Sequence, residues 1–352
     1  MKRAKVAVLF GGMSTEHQVS LQSAAAVIEH IPHDKYEVMC IGITEEGKWL
    51  RYIGGIDQIR DGSWHQHTTC RPASILVDPT RPGILLLDGN GQYEHVHVDC
   101  VFPVLHGKNG EDGTVQGLLQ LSGIPYVGCD TASSAVSMDK AFTQDLVKSA
   151  GIVTTEYLYV TKATYDAKRI DMHIHENFGY PVFVKPSSSG SSVGITKVRN
   201  ADALDRAVQY AFTFDRKVII EKEVRGIEVG CAVYGNEELS TGVIGEIEPS
   251  RDFLDYDDKY LLGEIKQHVP ARVQSEVLEA VKQRGMEVYR VLGCRGLARV
   301  DFFITPAGEI IFNEINTMPG FTASSRYPAM IAAAGLSYSE LIDRLIELAR
   351  ES

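Results

Sequence analysis

Four polar side chains in the last fifth of the chain, Arg299, Asp301, Glu314 and Asn316, sit at spacings that bring charge chemistry together. Two carboxylates and an amide oxygen are hard donors of the kind Mg2+ prefers, and an arginine beside them can hold a developing anion. Residues 297–304 and 309–315 read as strands joined by a turn containing Pro306 and Gly308. Alternate residues of a strand share a face, so Arg299 and Asp301 lie on one side and Phe312, Glu314 and Asn316 form a second row. A simple hairpin register places Glu314 near Arg299 and Phe312 near Asp301. The competing explanation is a solvated hairpin face with an incidental ion pair; apolar residues on both faces count against it. The chain then leaves the strand through Pro319 and Gly320, a bend that gives access to backbone N–H donors beside the acidic row.

A second constellation surrounds Lys185, which ends the apolar stretch 180–185 and is followed by PSSSGSSVG at 186–194. An ammonium, hydroxyls and backbone N–H groups can together meet several phosphoryl oxygens. The order of residues is not that of a Walker A loop, which excludes an ordinary P-loop NTPase and a protein kinase. Residues 218–224 read as another strand or linker whose glutamates and backbone can contact adenine and ribose, a solvated strand edge being equally open. Glu228 lies just beyond. Residues 252–260, with four aspartates, three aromatics and Lys259, read as a surface cover that orders over ligand, or as an ordinary exposed loop.

These groups need a scaffold. The first strand, residues 5–10, turns at Gly11 and Gly12 into a helix that Ser14 or Thr15 can cap, with Val19, Leu21, Ala24, Val27, Ile28 and Ile31 on its packing side. Glu16 at the positive end of that helix stabilises it and can also receive a substrate ammonium. Further strands at 38–43 and 99–105 imply an open α/β domain without a Rossmann fingerprint. The glycine-rich stretch 106–113, carrying His106, Lys108, Glu111 and Asp112, reads as an active-site loop leading into a short helix to Leu121. A boundary around 128–136 precedes one helix from about 138 to 150, and helices at 275–292 and 338–349 complete the packing.

The chain of 352 residues carries 35 basic against 46 acidic side chains, a formal charge of −11 that disfavours nucleic acid and membrane surfaces as partners and requires any phosphate site to be locally basic. No secretory pattern or spanning run is present, so a cytoplasmic location is expected. The six cysteines show no Cys-x-x-Cys pair and are expected as free thiols. His65 and His67 near Cys70, and His95 and His97 near Cys100, lack a complete metal pattern.

In this order the motifs GGMSTEHQVS (11–20), HGKNGEDGT (106–114), MDK (138–140), KPSSSGSSVG (185–194), RVD (299–301) and NEINTMPG (313–320) resemble the D-alanine-D-alanine ligases of the ATP-grasp group, including the related D-alanine-D-serine ligases of vancomycin resistance. The resemblance spans almost the whole chain. It implies a three-domain ATP-grasp fold of the α/β class: residues 1–130 binding the first D-alanine, 131–221 as the central subdomain, and 222–352 with the metal and oxyanion site. It implies ATP and Mg2+, with Mn2+ as a substitute and two ions per site, and a D-alanyl phosphate intermediate on the way to D-alanyl-D-alanine for peptidoglycan precursors. Glu16 then holds the first ammonium, with Ser191 and Tyr260 orienting its neighbourhood. Lys140, Lys185 and Lys259 contact phosphates; Glu221 and Val224 form the adenine hinge; Glu228 meets the ribose. Asp301, Glu314 and Asn316 are the metal ligands, Arg299 and the Gly320 N–H form the oxyanion site, and Ser325 with Arg326 receives the second substrate's carboxylate. Arg326 resembles resistance-associated members whereas Tyr260 resembles dipeptide-forming ones, so D-alanine and D-serine both stay open as second substrate. A homodimer is also implied. A nucleotide-regulated binding protein without ligase activity is the alternative from a different class.

Overall fold

The computed structural model describes residues 3–248 and 266–351. The proposed surface cover at 252–260, with Lys259 and Tyr260, therefore lies outside the described residues.

Val6 to Phe10 form an unbroken apolar run buried on both faces, which is the pattern of a central parallel strand. Accordingly Ala4–Gly11 runs parallel between Tyr36–Ile43 and Cys100–Pro103. The expected open α/β sheet is present, and it is larger than expected. Trp49–Tyr52, Arg71–Ile75, Gly83–Leu87 and Tyr93–His97 extend it antiparallel to seven strands. His95 and His97 lie on the outermost of these, where their ring nitrogens meet the Arg81 and Pro82 carbonyls.

The helix His17–His30 buries Leu21, Ala24, Val27 and Ile28 against this sheet. The last helix, Tyr338–Arg350, is fixed at its start by a capping box between Ser337 and Glu340 and returns to the same core through Leu341, Ile342, Leu345 and Ile346. Ser14 and Thr15 do not cap the first helix. Glu16 is its N-cap residue, and the Ser14 hydroxyl accepts from the Glu16 N–H at 3.1 Å instead. This fixes the backbone of the residue expected to bind substrate.

A second sheet is antiparallel, in the order Thr196–Val198, Val182–Pro186, Lys217–Lys222, Tyr157–Thr161. Glu221 is thus on an interior strand and buried, which removes the solvated-edge reading. A third sheet runs Lys266–His268, Gly245–Glu248, Ile227–Gly235, Gly296–Ile304, Ile310–Asn316, with Leu239–Thr241 paired alongside. The helix expected from about 138 to 150 is present as Lys140–Ser149, while the expected boundary at 128–136 holds a further helix, Thr131–Met138. Asp139 breaks them with extended backbone (ψ 99°) while its side chain caps the second by accepting from Phe142 N–H. Among the described residues no helix is long and apolar enough to cross a membrane, and all six cysteines are free thiols.

Candidate active site

The acidic hairpin forms with a different register from the simple one. Arg299 is opposite Asn316 and Asp301 opposite Glu314, after which Phe302 pairs with Phe312, so Asn313 is an extra residue at a bulge. Phe312 accordingly packs edge-on against Phe302 in the core rather than beside Asp301. The bulge is held from outside: Gln144 donates to the Asn313 carbonyl at 3.2 Å.

Asp301 is fully buried. Arg299 Nε donates to both its oxygens at 2.9 and 3.0 Å, Nη2 adds a third bond at 2.8 Å, and Arg326 Nη2 stands 3.4 Å from Oδ1. Arg326 also reaches Glu228 at 3.5 Å. Burial alone would lower the Arg299 pKa, but the charge of Asp301 outweighs it and the guanidinium is held more firmly protonated than usual. For Arg326 burial wins, with Arg299 as a repelling neighbour, and the shift is downward. Gly230 makes room for this cluster: a Cβ there would stand 2.9 Å from both Arg326 Nη2 and Asp301 Oδ1. Asn316 Oδ1 accepts from Met318 N–H at 3.0 Å, which starts the bend toward Gly320.

Glu16 lies across the same cavity, packed so closely that a Cβ on Gly107 or Gly190 would come within 2.4 or 2.9 Å of its Oε2. The Ser191 hydroxyl donates to Glu16 Oε1. Ser191 and Ser192 both adopt left-handed backbone (φ 51° and 59°), conformations that L side chains hold only where the surroundings impose them. His106 and Glu111 of the glycine-rich loop line this end too.

Lys185, at the end of its strand, pairs with the buried Glu221. Burial pulls the Lys185 pKa down, yet Glu221, Glu314 and Glu228 outweigh it, so the ammonium keeps its charge. Lys140 Nζ donates to the Ser189 carbonyl at 2.6 Å and its N–H to the Ser187 carbonyl at 2.9 Å, tying the second helix of the broken pair to the serine-glycine loop. Asp139 anchors that junction, accepting from Ser187 Oγ at 2.7 Å and pairing with Lys217.

One cavity of about 270 Å3 collects Glu16, Ser191, Lys140, Arg299, Glu314, Asn316, Gly320, Ser325 and Arg326. A second, of about 120 Å3, collects Lys185, Glu221, Val224 and Glu228 and shares Ser192, Ile195 and Glu314 with the first. Fourteen of the sixteen expected site residues are thereby brought together, Asp301 through its arginine pairs; the other two are Lys259 and Tyr260. The sequence reading passed over Asp139, Gly230 and Gln144 as site-forming residues. The Met-Asp-Lys triplet carried a signal for the first, as an N-cap candidate inside a helical pattern; a glycine needed for close approach and a buried amide on a helix carry none.

Two antiparallel sheets, one bearing Lys185 and Glu221 and the other the arginine-acid-amide row, face adjoining cavities, the arrangement that the resemblance to ATP-grasp ligases implies. Residues 5–129 match the family described as D-ala D-ala ligase N-terminus, and residues 146–347 that described as D-ala D-ala ligase C-terminus. The chain belongs to the D-alanine-D-alanine ligase family. It is 46% identical to the D-alanine--D-alanine ligase of Caldicellulosiruptor bescii, over 100% of this chain and 96% of the relative. It is 45% identical to the vancomycin/teicoplanin A-type resistance protein VanA of Enterococcus faecium, over 99% of each. The crystal structure of the VanG D-Ala:D-Ser ligase from Enterococcus faecalis superposes with a TM-score of 0.90 at 45% identity, covering 99% of this chain and 100% of that one.

Proposed function

We propose that the chain joins two D-alanines into D-alanyl-D-alanine, a peptidoglycan precursor, converting ATP to ADP and phosphate. The observation that carries this is the continuity of the two cavities, which share Ser192, Ile195 and Glu314: one is lined by Glu16, Arg299, Gly320 and Arg326, the other by Lys185, Glu221, Val224 and Glu228. Glu16, oriented by Ser191, holds the ammonium of the first D-alanine. A carboxylate oxygen of that substrate attacks the γ-phosphorus and ADP leaves, with Lys140 and Lys185 offsetting the phosphate charge. Adenine rests against Glu221 and Val224, and ribose against Glu228. The deprotonated amine of the second substrate then attacks the acyl carbon of D-alanyl phosphate. Its carbonyl oxygen becomes an oxyanion held by Arg299 and the Gly320 N–H, and phosphate departs with the bonding electrons. The assignments of Lys259 to the γ-phosphate and of Tyr260 to the first substrate belong to the same reading and fall outside the described residues.

Asp301, Glu314 and Asn316 present oxygen donors at neighbouring ladder positions, a set that fits a hard divalent ion. These three would hold Mg2+, or Mn2+ in its place, as two ions, which would supply positive charge against the phosphates.

Arg326 Nη2 is buried and makes no hydrogen bond among the described residues. A buried donor of this kind supports an acceptor oxygen arriving with substrate. With Ser325 it takes the carboxylate of the second D-alanine; the hydroxyl of D-serine, used to a lesser extent, is the alternative guest. The working unit is a homodimer in the cytoplasm, and the three-part division at residues 130 and 221 follows the same reading. ADP release measured with ATP and Mg2+, with and without D-alanine, tests the proposal. D-alanine-dependent release supports it, whereas release independent of D-amino acid, or nucleotide binding alone, supports a nucleotide-regulated binding protein.

A further inference from the structure

The turn that carries Gly320 is held by side chains remote from it in sequence. His106 Nδ1 donates to the Met318 carbonyl at 2.9 Å, while its Nε2 lies 3.1 Å from Ser23 Oγ. Ser23 Oγ in turn accepts from Phe321 N–H at 3.1 Å. The bonds therefore grip the backbone on both sides of Gly320. Ser23 is fully buried in the helix His17–His30, about two turns beyond Glu16, so one helix supports the ammonium site and the turn together.

We propose that Ser23 is a positioning residue that aims the Gly320 N–H at the reacting carbonyl, linking the first-substrate helix to the oxyanion site through His106. The inference rests on the ligase reading above. Phe321 is anchored independently, its ring stacked on Tyr327 at 5.9 Å and its carbonyl bonded by Tyr338. Loss of Ser23 consequently loosens one point of the turn rather than its packing. It also strands two buried polar groups, the Phe321 N–H and His106 Nε2, which relieve themselves by shifting the turn. Glu111 stands 3.4 Å from His106 Nδ1 and supports the same imidazole orientation.

An oxyanion donor matters most when negative charge gathers on the acyl oxygen, which happens in amine attack and not in phosphorylation of the carboxylate. Rapid-quench measurement of ADP and dipeptide in Ser23→Ala, with ATP, Mg2+ and D-alanine, separates the two steps. Dipeptide formation is expected to fall about tenfold, with the ADP burst held within about twofold and KM for ATP unchanged. Ser23→Cys, close in size and with a weak donor, is expected to recover part of the loss. An unchanged dipeptide rate, or an ADP burst that falls in step with it, overturns the proposal. A wild-type protein without D-alanine-dependent ADP release overturns the ligase reading as well, so the two failures are told apart.

Discussion

Asp301 and Glu314 stand opposite each other across the antiparallel ladder, two carboxylates at one register position just before the bulge at Asn313. Like charges directly opposed destabilise a sheet unless cations lie between them. Arg299 and Arg326 supply part of that compensation on the Asp301 side.

Glu314→Gln is expected to reduce Mg2+-dependent ligation by at least about 100-fold, since an amide cannot replace a metal-facing carboxylate. ATP binding survives. Turnover measured across a Mg2+ titration, alongside nucleotide titration calorimetry, checks this; near-wild-type rates from folded protein contradict the assignment.

Lys185→Met removes the charge directed at phosphate and also leaves Glu221 buried without its ammonium partner. Breaking one side of a buried pair costs about 3 kcal/mol, so the variant is expected to lose both phosphoryl transfer and stability. Adding Glu221→Gln restores the denaturation midpoint and leaves transfer impaired. Transfer recovering in the double variant would assign Lys185 a structural role only.

Gly230→Ala places a methyl within 2.9 Å of Arg326 Nη2 and Asp301 Oδ1, both far ends of side chains. Arg326 gives way, since three hydrogen bonds from Arg299 hold Asp301 in place, and the fold stays. KM for the second D-amino acid is expected to rise about tenfold with KM for ATP little changed, as initial-rate kinetics at fixed first substrate will show.

Arg272 bonds Glu246 and Glu248 on the strand Gly245–Glu248, and hydrogen bonds from Arg272 hold the Glu246 carboxyl below its ordinary 4.5 against the opposing effect of burial. A depressed folded-state pKa contributes stability above the unfolded value that is lost as pH falls through the folded one. The gap in thermal midpoint between wild type and Arg272→Ala is therefore expected in full at pH 7 and to shrink below about pH 4.5. A gap equally wide at pH 7 and pH 3 would falsify the link to Glu246.

Much of the architecture was legible in the chain, for identifiable reasons. Val6 to Phe10 and the alternation around Arg299 announced strands, because burial on two faces or on one writes a distinct pattern. The hairpin register was misread by two positions: one because the second strand starts at Ile310 and pairs it with Ile304, and one because nothing in Asn313-Glu314 marks a bulge, which the Gln144 bond holds in place. Asp139 stood at the start of an expected helix, where a cap is ordinary, while its contacts with Ser187 and Lys217 exist only in three dimensions. The antiparallel extension from Trp49 to His97 was hidden by short, half-exposed strands with weak alternation. The link from His106 through Ser23 to Phe321 joins positions separated by 83 and 298 residues, a distance over which local pattern says nothing.

The central claim is most directly tested by supplying equal D-alanine and D-serine with ATP and Mg2+, and quantifying ADP and both dipeptides by mass spectrometry over a range of concentrations. The account predicts one ADP per dipeptide and mostly D-alanyl-D-alanine, with some D-alanyl-D-serine. ADP without dipeptide would contradict the ligase reading, and a higher kcat/KM for D-serine as second substrate would contradict the choice of D-alanine.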